Sequence, residues 1–373
     1  MIMTVRRVAS RSDLKTFLRL PWKIYSNDRN WVPPLLWDFS RKLDKSHNPY
    51  FQHAEAEYFL AFRGDEAVGR ITAQKDKNYE AHWKEKVGHF GFFECADDPA
   101  AAQALLEAGC AWLKGKGCIK AQGPFNPNVN DECGLLIAGF DTPPMFLMTH
   151  NPPYYQKLLE GQGFAKAMDL LAYRLDAVAE APPDVAKYAE TIRHKEGITV
   201  RQWDLGRFER EMELFREVYN SAWERNWGMV KLTDAELKAH TVELRTLVWP
   251  ELAFFAEIEG KVMGASLSLP NYNEVIIKLN GRIFPLGALR IGLARLRKSL
   301  KSCRVFALGV KQEYRRSGVG AVFYYDTLMA AKRLGLKWGE MSWILENNVA
   351  MNKAIQHMGG RVYKTYRIFE KAL

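Results

Sequence analysis

The sequence predicts an α/β protein with mixed (α+β) sheets, built twice along one chain. Three observations predict it: an internal repeat at near-constant offset, a β-hairpin at matching places in both halves, and strand–helix alternation after each hairpin. The chain has 373 residues, more than one ordinary core holds and enough for two domains. Hydrophobic residues make up 47% and charged residues 26%, the balance of a folded globular chain. Thr4-Val5-Arg6 recurs as Thr199-Val200-Arg201, and Arg29-Asn30-Trp31 as Arg225-Asn226-Trp227. Gly64, Gly69 and Gly163 fall opposite Gly260, Gly264 and Gly359. Offsets that stay this constant across a whole half argue for duplication rather than coincidence.

The join is legible as well. Between Asp176 and Gly197, Ala179-Glu180-Ala181-Pro182-Pro183-Asp184 has linker composition and leads into a short polar helix. The expected organisation is therefore residues 1–176, a linker over 177–197, and residues 198–373. The second copy opens with a strand over 198–203. A helix follows from about Phe208 to Trp223, with Met212, Phe215, Val218, Tyr219 and Ala222 at helical spacing. Strands over 252–258 and 262–269 flank the turn Glu259-Gly260-Lys261. The first copy repeats this hairpin as 58–62 and 67–73 around Arg63-Gly64-Asp65-Glu66.

Downstream lies a basic stretch, Arg290 to Arg304, read as a solvated helix face, then the apolar strand Arg304–Val310. Arg315-Arg316-Ser317-Gly318-Val319-Gly320 then opens a helix that runs to about Leu334 and stops at Gly335. A helix N-terminus offers unpaired N–H groups and a positive dipole end. Glycines let the backbone approach an anion closely, and the arginines and the serine hydroxyl add charge and a donor, which together suit a pyrophosphate. A Walker A loop is excluded, because no Gly-Lys-Ser/Thr is present. A dinucleotide fingerprint requires a third glycine where Phe323 stands.

The pattern Leu308-x-Val310, Tyr314-Arg315-x-x-Gly318-x-Gly320 resembles the acyl-CoA signature of the GNAT superfamily of N-acetyltransferases, with Gln312 where many members have Pro. The strand over 337–343, Glu346-Asn347-Asn348, a short helix, Gly359-Gly360 and a last strand over 361–370 resemble its second motif. The resemblance covers about 170 residues of the second copy and extends to residues 1–176 through the repeat. It implies two tandem GNAT-like acyl-CoA N-acyltransferase domains. It also implies coenzyme binding by Leu308, Gly309, Val310, Arg315, Arg316, Ser317, Gly318, Val319, Gly320 and Asn348. The pantetheine would lie in a V-shaped opening between the strand ending at Val310 and the strand near Trp343, with a backbone N–H near Val310 as oxyanion donor. Acetyl-CoA, or another acyl-CoA, is the expected co-substrate. A primary amine, on a small molecule or a peptide, would attack it directly. A family tyrosine that protonates the leaving thiolate would fall at Ile355, which cannot donate a proton.

Candidate catalytic groups are Glu257, Glu340 and Tyr363, near the expected opening; Glu346 is a further carboxylate there. The first copy has Cys95-Ala96-Asp97-Asp98-Pro99 where the second has its arginine–glycine loop. Carboxylates there repel pyrophosphate, so this copy is expected to be degenerate. Its long segment from Gly123 to Tyr155, with His150, is either a binding loop or a structural insertion. Two other readings remain open: a Fem-type transferase that uses aminoacyl-tRNA, compatible with the net charge of +10, and a non-catalytic acyl-CoA sensor or scaffold.

Five cysteines without CxxC pairing or zinc spacing exclude a metal framework and suit a reducing compartment. The N-terminus has no apolar h-region, and the longest apolar stretch is too short to span a bilayer. The expectation is a cytoplasmic enzyme, monomer or homodimer, with no metal and no membrane partner.

Overall fold

The computed structural model describes residues 2–178, 180–194 and 197–373. Met1, and Ala179, Lys195 and Glu196 of the expected linker, lie outside the described residues. The chain forms two compact units. Unit 1 comprises residues 1–170, 275–289 and 364–373; unit 2 comprises 171–274 and 290–363.

In unit 1, β1 (Met3–Arg7) leads to α1 (Arg11–Ile24), whose start is fixed by a reciprocal capping box between Ser10 and Asp13. Then come α2 (Leu36–Lys42) and the hairpin β2 (Ala54–Arg63) and β3 (Glu66–Asp76). α3 (Lys77–Trp83), β4 (Val87–Cys95), α4 (Pro99–Gly115) and β5 (Lys120–Gly123) follow. Beyond them lie the short β6 (Phe125–Asn126), β7 (Glu132–Cys133) and β8 (Leu135–Ala138), α5 (Tyr155–Glu160) and the start of β9 (Ala165–Asp176). β1, β2, β3 and β4 pair antiparallel in that order, and β4 pairs parallel with β5. The core lies between this sheet and α4, where Leu105, Leu106 and Leu113 bury against Phe59, Ile71 and Phe90. A fully buried Leu is worth about 1.5–3 kcal/mol relative to exposure, so this helix face dominates the local balance.

Unit 2 begins within β9. It continues through α6 (Pro183–Arg193), β10 (Ile198–Gln202), α7 (Phe208–Ala222), α8 (Asp234–Leu244), β11 (Ala253–Ile258) and β12 (Lys261–Pro270). α9 (Asn273–Ile276) and α10 (Leu286–Leu296) run across the boundary between the two sets of residues. β13 (Ser302–Val310), α11 (Val319–Arg333), β14 (Trp338–Leu345), α12 (Val349–His357) and the first residues of β15 (Arg361–Ala372) complete the unit. The β11–β12 turn is tight because Glu259 and Gly260 both take positive φ, 49° and 74°, the pair of angles that matches strand twist in two-residue hairpins. Met212, Phe215 and Val218 of α7 are buried as the periodicity predicts. Trp203 stacks on Phe255 at 5.0 Å. The helix expected within the basic stretch ends at Leu296, and β13 is already extended at Ser302. α8, opened by a Thr233–Glu236 capping box, is an element the periodicity does not reveal.

The expected segments 1–176 and 198–373 and these units differ in their closing strands. Phe369–Ala372 of β15 pair antiparallel with β5, and Thr365–Arg367 with β8, inside unit 1. Residues 171–176 of β9 belong to unit 2, whose strand order places β9 beside β14. Each 12-residue closing strand thus divides its length between the two units. Pairing between segments so distant in sequence leaves no local signal.

His89 of β4 is 3% exposed, stands 4.5 Å from the Tyr79 ring and 4.7 Å from the Phe125 ring, and burial pushes its pKa down to about 4. The unfolded chain binds this proton from about pH 6.5 downward and the folded chain does not until about pH 4. The stabilising contribution is therefore complete above pH 6.5 and is lost progressively on acidification. His89→Phe should remove about 2 kcal/mol of the stability lost by the native protein between pH 7 and pH 5, measured by urea denaturation at both values.

Candidate acyl-coenzyme A site

The opening expected beside Val310 starts from a strand divergence. β13 pairs along its length with β12, from Pro270↔Cys303 to Gly264↔Val310, with one extra residue accommodated at Phe306. Its parallel register with β14 runs only from Ser302↔Trp338 to Val305↔Met341. Past that point the two strands continue, 306–310 on one side and 342–345 on the other, without mutual pairing in the register. Backbone groups must find partners or solvent, so this stretch of β13 is available to a bound chain along its free edge.

A buried polar network holds the strands together just before they part. Glu340 is fully buried and Arg304, its register partner, is 2% exposed. Ser342 Oγ donates to Glu340 Oε1 at 2.6 Å and accepts from Arg304 Nε at 2.9 Å. Arg304 Nε lies 3.9 Å from Glu340 Oε1, and the Tyr363 hydroxyl donates to Glu340 Oε2. The Arg304 guanidinium also lies over the Trp343 ring, 4.7 Å from its centre. A buried charge survives only when paired and hydrogen-bonded, and each member here supplies that to another. Glu340 and Tyr363 are thus brought together at the root of the divergence. Glu257 is not. It sits on β11, with β12 between it and β13, and binds Arg201 Nε at 2.8 Å in a triad with Glu211.

From Val310 the chain turns tightly. Lys311 N donates to Met263 O at 2.8 Å, and Ser317 N to Tyr314 O at 2.9 Å. Gly318 is the N-cap of α11, at φ +86°, and no side chain caps that helix from the N-cap position. A Cβ on Gly318 would lie 2.6 Å from Tyr188 Oη and 2.7 Å from Ile192 Cδ1, both on α6. A Cβ on Gly320 would meet nothing within 4 Å. Gly318 is therefore demanded by backbone angle and packing, whereas Gly320 leaves open space over the first turn of the helix. Arg315 and Arg316 are exposed. The Arg315 guanidinium is anchored by a 2.9 Å bond to Ala222 O, at the end of α7. Trp223, just after α7, presses on the strand, since a Cβ on Gly309 would lie 2.5 Å from its ring. Asn348 caps α12, accepting from Met351 N at 3.2 Å. Ile355 is core, 3% exposed. The residue periodicity does not reveal is Asn352, which accepts from Tyr173 Oη at 2.9 Å and donates to Leu345 O at 3.0 Å. It fixes the turn that carries Asn348. No group of His, Cys, Asp and Glu among the described residues is arranged to hold a metal.

Comparison with known proteins identifies the family and the fold. No protein-family model matches the chain. The chain is 38% identical to "Bacterial ceramide synthase" of Caulobacter vibrioides (strain NA1000 / CB15N), over 100% of this chain and 98% of that protein. It is 38% identical to "Protein YghO" of Escherichia coli (strain K12), over 99% and 95%. The chain belongs to the family of the bacterial ceramide synthase. Solved structures agree on the fold at low identity. A tandem GNAT protein from the clavulanic acid biosynthesis pathway has a TM-score of 0.60 and 10% identity, over 100% of this chain and 98% of that one. A GCN5-related N-acetyltransferase from Sphaerobacter thermophilus has a TM-score of 0.55 and 15% identity, over 99% and 95%. The fold is that of a tandem GNAT protein.

In this ceramide synthase relative the two copies treat the same place differently. Gly69 pairs with Cys95 in unit 1 as Gly264 pairs with Val310 in unit 2, which makes Cys95 the counterpart of Val310. β4 and β5 also part early, after His89↔Gln122. There, however, the chain's own segment lies along β4. The Phe92 amide donates to Asn126 Oδ1 at 2.6 Å, and a Cβ on Gly91 would overlap Phe125 O. Gln74 Nε2 donates to Phe125 O and Pro127 O, both at 2.9 Å. The Cys95 amide donates to Tyr155 Oη at 2.8 Å. The N-terminus of α4 is capped by the Asp98 carboxylate, which also binds Arg63. The segment from Gly123 to Tyr155 therefore satisfies unit 1 from within. His150 binds Asp28 at 2.7 Å, and burial lowers its pKa. Glu94, raised by burial, accepts from Tyr25 and Tyr155 at 2.7 and 2.8 Å.

The two loop glycines should separate in stability measurements. Gly318→Ala should lower stability by at least about 1 kcal/mol, from left-handed backbone strain and the clash with α6. Gly320→Ala should leave it unchanged or raise it by up to about 1 kcal/mol. Chemical denaturation of both variants checks the difference.

Proposed function

We propose that the chain is an acyl-CoA-dependent N-acyltransferase, in which unit 2 moves a long-chain acyl group from coenzyme A to the amine of a long-chain amino alcohol and forms a ceramide-type amide. The observation that carries this reading is the divergence of β13 and β14 running into the glycine-capped head of α11, in a chain related end to end to a ceramide synthase. The named relative shifts the expected donor from acetyl-CoA towards a long-chain acyl-CoA, since a ceramide is the N-acyl derivative of a long-chain amino alcohol. The intact arginine–glycine loop favours a coenzyme over an aminoacyl-tRNA donor.

The loop supports the assignment residue by residue. Arg315, Arg316 and Ser317, with the backbone of Gly318, Val319 and Gly320, hold the pyrophosphate. Leu308, Gly309 and Val310 offer backbone groups to the pantetheine, and Asn348 stands at the mouth of α12. The Val310 N–H meets the thioester oxygen as charge develops on it. The amine nitrogen forms the new bond to the carbonyl carbon, the carbon–sulfur bond breaks, and coenzyme A leaves as a thiolate that takes up a proton. Glu257 and Glu340 are each committed to a cation or a buried network. The amine therefore reacts from its neutral form, and its proton goes to solvent.

Gly320→Asp tests the site while sparing the fold. Its Cβ faces open space, and a carboxylate in the first turn suits the helix dipole. The same carboxylate faces the pyrophosphate, so affinity for palmitoyl-CoA by calorimetry should fall at least about tenfold, with the melting temperature held. Arg316→Glu, also exposed, should act in the same direction. For the reaction, the native protein with palmitoyl-CoA and sphinganine should release free thiol and yield the N-acyl product by mass spectrometry. Coenzyme binding without product from any amine, at any acyl length, would leave a binding protein and sink the enzyme assignment.

A further inference from the structure

The helix α10 carries an outward face that a water-exposed helix would not keep. Leu286, Leu289, Leu293 and Leu296 are 60, 58, 36 and 80% exposed. At about 100° per residue these four fall within roughly 80° of one another, a single stripe. Only Gly287 and Ala294 of the helix are buried, and they lie on its other side, roughly 130° around from the centre of the stripe. Phe284, just ahead of the helix, is also 70% exposed. Soluble surfaces carry scattered apolar residues, but a continuous stripe of this kind marks a docking site.

The charge around the stripe selects the partner. No Asp or Glu occurs between Glu274 and Glu313, whereas nine Lys and Arg residues do. Several are already used: Arg304 in the buried network, Lys298 with Glu251, and Lys311 with Glu217. Arg290 and Arg297 are exposed and make no ion pair among the described residues. By helical spacing they flank the leucine stripe on one side. A second copy of this chain is disfavoured as the occupant, because a two-fold contact through this face would set the arginines of both copies against each other. An anionic bilayer meets both demands, with acyl chains for the leucines and phosphates for the arginines.

We propose that α10 seats the protein on an anionic membrane surface, with the leucine stripe in the acyl-chain boundary and Arg290 and Arg297 at the lipid phosphates. No helix among the described residues is long and apolar enough to cross a membrane, so the attachment is peripheral. The attachment does not rest on the identity of the acyl acceptor. It follows from one continuous helix and its charges.

The test is flotation of the full-length protein with vesicles of phosphatidylethanolamine containing about a third phosphatidylglycerol, against vesicles of phosphatidylcholine alone. The native protein should float with the anionic vesicles, and added salt should weaken it. Leu289→Gln with Leu293→Gln should cut the bound fraction by about tenfold or more. Arg290→Glu with Arg297→Glu should abolish the preference for anionic lipid. Val242→Gln, on α8 and 71% exposed, should change nothing. Leu293→Cys carrying an environment-sensitive fluorophore should shift to the blue on adding vesicles, a readout that survives poor folding of the double variants. Absence of the native protein from the vesicle fraction overturns the proposal. So does undiminished flotation of the leucine variant, or a leucine-dependent dimer that ignores vesicles.

Discussion

Unit 2 depends on one constraint: a charged arginine and a carboxylate are buried across β13 and β14 at the last rungs where these strands pair. Arg304 and Glu340 are register partners. Their charges lie 3.9 Å apart, with Ser342 bridging them. Neither group would be tolerated alone, since removing one partner of a buried pair typically costs about 3–5 kcal/mol. The network therefore fixes where the strands must be together. Beyond Val305↔Met341 the backbone register between the two strands ends, and the strands part. The divergence begins at the end of this buried clamp, so its geometry is set by the core rather than by a flexible loop.

The loop then inherits a fixed position. Lys311 is tied back to β12, Arg315 to the end of α7, and Gly318 is packed under α6. Arg315 consequently presents its charge at the head of α11 from an anchored guanidinium, which reduces the side-chain entropy lost when a ligand arrives. α6 comes from the segment that reads as a linker in the sequence. Its Tyr188 and Ile192 close the loop from outside, and Arg193 pairs with Asp326 on α11, so the connecting helix is part of the site's scaffold.

Much of this was legible in the residues. The repeat, the hairpins, the strand ending at Val310 and the helix ending near Leu334 all rest on local spacing, and local spacing is what strands, turns and caps obey. Nonlocal features were not legible. The exchange of closing strands between units and the Arg304–Ser342–Glu340–Tyr363 network each join residues tens or hundreds of positions apart. Glu257 was a reasonable guess from its strand, but sheet order decides which strand borders the opening, and β12 intervenes. The basic stretch from Arg290, read as a solvated face, does have Arg290 and Arg297 exposed, but charge alone does not describe the helix. Counting its cations passes over Leu293 and Leu296 within the stretch and Leu286 and Leu289 just before it, whose shared face emerges only once the helix bounds are known.

The difference between the copies runs deeper than the loop sequence that first suggests it. Replacing Asp98 and Pro99 by arginine and glycine would not restore an anion site at α4, because three further obstacles stand in unit 1. Phe125 and Asn126 already lie along β4, where Asn126 Oδ1 takes the Phe92 amide and Phe125 O closes on Gly91. The Cys95 amide, where an oxyanion donor would be needed, is taken by Tyr155. Tyr155 is in turn held by Glu94, which Arg70 approaches at 3.4 Å. The Cys95 amide, the Tyr155 hydroxyl and the Glu94 carboxylate satisfy one another in turn. Freeing one exposes the next without a partner, at about 1–3 kcal/mol for each. Unit 1 is thus internally complete, and its edge beside β4 is filled by its own chain. In unit 2 the register of β13 with β14 ends at Val305, and Arg315 and Arg316 stand exposed beyond the end of β13; the coenzyme site proposed for the second copy rests on that asymmetry.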